Sequence, residues 1–203
     1  MFGMGWLTKC WNEHQERVLL KKHRDAQLKA LTQAIKDKDH SLVESILAST
    51  EGLDKFKSDN YDELLKEAIL TDDVNIFEKI FELAKNPDPN HIFHWHSPAI
   101  PSAVSMSSSR NPLLSTALEA KAGNVALRLA NDPRTDIYLT GSYDRHRYHG
   151  GGLLSSGYTE HEKTIYSKAS VLAEKHGLNE VAAVLMKREA ADLTARAQSF
   201  TLS

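Results

Sequence analysis

The chain is poor in cysteine: Cys10 is the only one in 203 residues. A single thiol closes no disulfide within the chain and cannot build a Cys-rich zinc module, so a reducing compartment is the expectation. Cys10 itself reads as a half-buried position in an N-terminal helix. Net charge is also small. The formal value of −2 supplies no global attraction to nucleic acid or anionic lipid. The short basic run "KKHR" at 21–24 reads as a solvated helix face. A helical DNA-binding module would need a basic recognition face, which is missing. Nor does any stretch approach the ~20 apolar residues of a membrane span. The start, "MFGMGWLTKCWNEH", meets Lys9 before an apolar signal region develops. Trp6, Leu7 and Trp11 could share one helical side, read as a cap against the domain rather than a membrane or partner anchor.

Catalytic strings are lacking as well. There is no nucleophile elbow, phosphate loop or metalloprotease helix. The triple glycine at 150–152 lacks the strand-to-helix setting of a dinucleotide loop. No cofactor is expected. What remains is ordinary for a globular domain: 41% hydrophobic and 26% charged residues.

The chain repeats itself. "ALTQAIKDKDHSLVESILAS" (30–49), "ELLKEAILTDDVNIFEKIFE" (63–82), "PLLSTALEAKAGNVALRLAND" (112–132) and "ASVLAEKHGLNEVAAVLMKRE" (169–189) share a plan. Each opens with a short apolar helix carrying a small residue, respectively Ala34, Ala68, Ala117 and Ala173. A turn follows, near Lys38-Asp39, Asp72-Asp73, Gly123-Asn124 and His176-Gly177. A second helix then presents apolar residues at i, i+1, i+4 and i+5, for example Ile76, Phe77, Ile80 and Phe81. Ser41 with Glu44, and Thr159 with Glu162, have the spacing of capping boxes.

These units resemble the ankyrin repeat family. The best match is "NPLLSTALEAKAGNVALRLANDPRTDIYL" (111–139), and "LAEKHGLNEVAAVLMKREAADL" (172–193) is the second. The first two units carry lysine or aspartate where glycine is usual, and the third has a longer alanine-to-glycine interval. The resemblance implies an all-α helical solenoid of about four helix-turn-helix repeats. It would have an N-terminal capping helix at 1–27, repeat 1 at 28–60, repeat 2 at 61–110, repeat 3 at 111–163, and repeat 4 with a C-terminal cap at 164–203. Such repeats recur about every 33 residues. Ala34 to Ala68 is a normal step, but the next two steps are too long by some ~16 and ~23 residues. The surplus falls in two inter-repeat loops, 86–112 and 138–162, which would leave one edge as neighbouring fingers.

The first finger contains "HIFHWH" (91–96). If it is extended, Phe93 and Trp95 share one side and His94 and His96 the other. Three readings stand. The loop residues could simply pack down. They could bind a protein, with His91, Phe93, Trp95, His96, Tyr138, Tyr143, Arg145, Arg147 and Tyr148 as contacts, because aromatic and arginine side chains are enriched at binding hot spots. Or His94 and His96, with His91, His146 or His149, could hold an ion, although no ligand-spacing motif is present. The resemblance implies a non-catalytic module that binds another protein through its concave face and fingers. By analogy alone, a bacterial effector or inhibitor also fits, in the cytoplasm or a host cytosol. The alternative is a metal-dependent or histidine-based enzyme with its site between the fingers.

Overall fold

The structure, a computed structural model, describes residues 4–49, 58–84, 86–96, 105–149 and 158–201. Among them are four helix pairs: α1 (Met4–Lys36) with α2 (His40–Ser49), α3 (Ser58–Thr71) with α4 (Val74–Phe81), α5 (Leu113–Glu119) with α6 (Gly123–Asn131), and α7 (Ala169–Lys175) with α8 (Asn179–Thr201). The pairs stack in two layers. Contacts run α1 to α3 to α5 to α7 along the first helices, and α4 to α6 to α8 along the second. One continuous apolar core lies between the layers, from Leu31 and Ile35 at one end to Leu185 at the other.

All four helix pairs are closed by the same device. Ala34, Ala68, Ala117 and Ala173 are each essentially fully buried, because a larger side chain would push the two helices apart. Four residues after each alanine stands a left-handed residue: Lys38, Asp72, Lys121 and Gly177, with φ of 54°, 53°, 56° and 74°. In the first, third and fourth pairs the following N–H (Asp39, Ala122, Leu178) donates back to the alanine carbonyl at 2.9 Å, the Schellman closure of a helix end. In the second, the Thr71 hydroxyl donates to Ala68 O and accepts from Asp73 N–H instead. The third turn is therefore centred on Lys121 and not on Gly123-Asn124. Gly123 begins α6, where an added Cβ would sit 3.3 Å from Leu178 of the next pair. With the turn at Lys121, the alanine-to-turn interval is the same in every unit.

Neither capping box forms. Ser41 lies inside α2, and it is Asp39 that accepts from Leu42 N–H at 3.0 Å, with the Ser41 hydroxyl donating to the same carboxylate. Thr159 and Glu162 lie in a strand. Asp73 caps α4, accepting from Asn75 and Ile76 N–H groups. Of the N-terminal cap expected from Trp6, Leu7 and Trp11, the Trp11 contact is corrected. α1 runs unbroken through the boundary drawn at 27, and Trp11 is 64% exposed rather than packed on the domain. The side chains of Trp6, Leu7 and Cys10 fall outside the described residues.

The larger correction concerns the fingers. The chain is mostly helical, but both insertions form strands, so the fold is not all-α. The first is a hairpin of β1 (Ile92–His96) and β2 (Ser105–Pro112), the second a hairpin of β3 (Ser142–His149) and β4 (Tyr158–Ile165). β2 and β3 pair antiparallel, so the two hairpins fuse into one four-stranded sheet of order β1-β2-β3-β4. Proline, serine and glycine content suggested loops, but alternation and charge along these segments favour strands. No helix among the described residues is long and apolar enough to cross a membrane.

Candidate interaction surface

The sheet is held to the helices at its base. His91, just ahead of β1, places Nε2 2.7 Å from Asp62 Oδ1 on α3. Its ring meets the rings of Tyr61 and Phe93 edge-on, at 5.9 and 5.2 Å between centroids. Burial pushes the Tyr61 hydroxyl up to about 12, and that hydroxyl donates to the Phe81 carbonyl. Phe93 is 2% exposed, with the Lys66 ammonium 4.9 Å from its ring centre. The expectation that Phe93 contacts a partner is therefore corrected: its ring belongs to the core, where burial of a large apolar face outweighs any external use. His91 likewise anchors the first hairpin to α3.

Asn90 joins the two finger bases. Its carboxamide donates to Arg134 O at 2.9 Å and accepts from Asp136 N–H at 2.6 Å. Asp132 is the next link. It accepts from Arg128 and Arg134, and the Arg134 hydrogen bonds hold its carboxyl well below the usual carboxylate range. Arg128 also pairs with Glu78 on α4, while Arg188 from α8 donates to the carbonyls of Ala130, Asp132 and Thr135. Tyr138 does not join the sheet surface. It precedes β3, donates to Asp192 of α8 at 3.1 Å, and has Arg196 over its ring. Gly141 marks the tightest approach at the start of β3. A Cβ there would stand 2.5 Å from the Tyr166 ring and 2.8 Å from Asn111 Oδ1.

Register then sorts the remaining expected contacts into rows. Trp95, Ser109, Tyr143 and Thr164 lie in line across all four strands. Ser107, Arg145 and Glu162 form the next row on that face, followed by Ser105, Arg147 and Glu160. His96 falls on the opposite face, in line with Ser108, Asp144 and Lys163. Tyr148 also falls there, opposite Thr159. Tyr143 and Arg145 are half-buried on the central strand β3. The side chains of Trp95, His96, Arg147 and Tyr148 lie outside the described residues.

Three of four consecutive β3–β4 positions carry opposite charges: Asp144 with Lys163, Arg145 with Glu162, and Arg147 with Glu160, the fourth being His146 with His161. Such cross-strand pairs stabilise one register and disfavour a slip that would set like charges together. His161 adds an ion contact to Asp144 at 3.4 Å. No protein-family model, curated protein or solved structure matches the chain.

Of the histidines considered for a metal, His91 is engaged with Asp62 and His94 is exposed on β1. The side chains of His96, His146 and His149 lie outside the described residues. Among the described residues no three His, Cys, Asp or Glu side chains converge as a metal set. Reading the sequence missed Asp62, Asn90, Asp132 and Arg188, the groups that mount the sheet. It also missed the charge register "DRHR" against "EHEK", which a comparison of 144–147 with 160–163 run backwards would have exposed.

Proposed function

We propose that the chain is a non-catalytic protein-binding module, an ankyrin-like stack whose partner seats on the fused finger sheet and the adjoining concave side of the first helices. The observation that carries this reading is the β2–β3 pairing. Two separate insertions become one surface, mounted on a continuous helical core. Support for the ankyrin-like reading comes from the equal alanine-to-turn spacing in all four pairs and from hairpins placed between successive pairs. A surface of this kind sets Trp95 and Tyr143 in one row and Arg145 in the next on the same face, and fixed geometry lowers the ordering cost of binding. The edges are guarded against unspecific strand addition, since β1 is short and β4 carries Glu160, Glu162 and Lys163.

The test uses intact protein and the variants Trp95→Ala and Arg145→Ala, which share one face of the sheet, in affinity capture, with thermal melts in parallel. Capture of a defined protein that weakens in both variants, at unchanged melting temperature, supports the reading. A Trp95→Ala chain that melts far earlier, or capture that ignores both substitutions, overturns it.

A further inference from the structure

Helix α1 is far longer than its packing requires. It has 33 residues, about 50 Å of helix. Among the described residues its buried positions begin at Leu31, with Leu28 half-packed against the core. The preceding part carries an exposed apolar step: Leu19 is 64% and Leu20 70% exposed. These two leucines and their neighbours Glu16 and His23 line one shallow concavity on the helix surface. The spacing i, i+3, i+4, i+7 makes the four residues a single facet.

That facet is complementary to its own reversal. Run the helix backwards about the point between residues 19 and 20. Leu19 then falls on Leu20, and Glu16 falls on His23. A two-fold axis across an antiparallel helix pair sets each residue against the position it falls on in the reversed helix, so leucine meets leucine and carboxylate meets imidazole.

We propose that two copies of this chain associate through α1, antiparallel, with the two-fold axis passing between Leu19 and Leu20. The four leucines of the two copies form the dry centre. At each end Glu16 of one copy accepts a hydrogen bond from His23 of the other, so the two polar contacts flank the apolar one symmetrically. A second copy fits better than an unrelated partner because the facet supplies its own complement, acid to base and leucine to leucine. The axis lies roughly 12 Å of helix before Leu28, which leaves room for the helix to cross its counterpart ahead of the body. A membrane surface is the competing occupant for an exposed apolar helix with nearby Lys21, Lys22 and Arg24. The polar pair in the facet argues against it, because Glu16 would sit at the lipid boundary.

Sedimentation analysis of the full chain over a range of concentrations tests the proposal. The chain should dimerise reversibly, and Leu19→Asp with Leu20→Asp should make it monomeric with an unchanged melt, since both side chains are exposed. Glu16→Lys alone and His23→Glu alone should each weaken self-association by about tenfold, two flanking contacts being lost per dimer. The double variant should recover it, and a mixture of the two single variants should form the mixed dimer in preference to either pure one. A monomer at every concentration, a dimer indifferent to the leucine pair, or a charge swap that restores nothing would overturn it. So would a chain that stays monomeric in solution but sediments with anionic phospholipid vesicles.

Discussion

Asp72 is asked to do two things at once, and substitutions there separate them. Its backbone is left-handed, which costs a side chain with a β-carbon about 1 kcal/mol relative to glycine. Its carboxylate meanwhile caps a helix in the next repeat, accepting from Asn124 N–H at 2.8 Å, Val125 N–H at 3.1 Å and the Asn124 carboxamide at 3.0 Å. The residue at the N-cap position of α6, Ala122, offers no side-chain acceptor of its own. Asp72→Ala keeps the backbone cost and loses the cap, so it should destabilise by about 2 kcal/mol. Asp72→Gly loses the same cap but relieves the left-handed strain, leaving about 1 kcal/mol of destabilisation. Asp72→Asn keeps an acceptor, tolerates the conformation and loses only the charge at the helix N-terminus, about 0.5 kcal/mol. For a chain of this size each kcal/mol moves the melting temperature by about 2–4 °C. The alanine variant should thus melt about 4–8 °C early, with the other two in order above it. Lys121 supplies the control: it is left-handed and exposed, with no such role in α6, so Lys121→Gly should raise stability by about 0.5–1 kcal/mol. Calorimetry reads the order, and hydrogen exchange at the Asn124 and Val125 amides reads the mechanism. An Asp72→Gly protein at least as stable as the original would refute the inter-repeat cap.

Ala68→Asp and Ala173→Asp should each cost 3 kcal/mol or more, about the scale of a buried charge without a partner, and urea titration should show partly unfolded protein before denaturant is added. Phe93→Ala should cost about 3–5 kcal/mol in the same titration, because its ring is core; a neutral result would return Phe93 to the surface. Asp132 has a depressed folded-state pKa, so its contribution is present above the unfolded value near 3.9 and lost as pH falls through the folded value. Asp132→Asn should therefore be less stable than the original at pH 7, and the gap should close on acidification below about pH 4. A gap that persists unchanged in acid would mean that the Arg134 contact is not ionic in origin.

Helical periodicity was strong enough to read directly. The buried alanines and the apolar stripes of α4 and α6 sit where their spacing puts them, because the side chains that make the pattern are also the ones that pack. The turn of the third pair was misplaced since glycine draws attention as a turn former, while lysine in the left-handed region leaves no compositional mark. Both capping boxes failed for a related reason: an aspartate just ahead of Ser41 offered a better acceptor, and Thr159 lies in an extended segment. The strands resemble loops in the sequence because their signal is pairwise. Arg145 means little until Glu162 is set beside it. The site residues divide along the same line. Phe93 and His91 look like surface contacts in a histidine-rich string, and only the position of Asp62, Tyr61 and Lys66 on α3 makes them anchors.

One topological detail bears on how the molecule comes apart. β2 leads directly into α5, β3 follows α6, and the two strands hydrogen-bond to each other. The third helix pair is consequently a loop drawn shut at its neck, and it cannot fray without tearing the middle of the sheet. Among the described residues the first pair has no such drawstring, and α1 and α2 meet the rest through side-chain contacts such as His40 with Asp73. A stack of repeats ordinarily unzips from either end. This one should unzip from the α1 side while its centre stays locked.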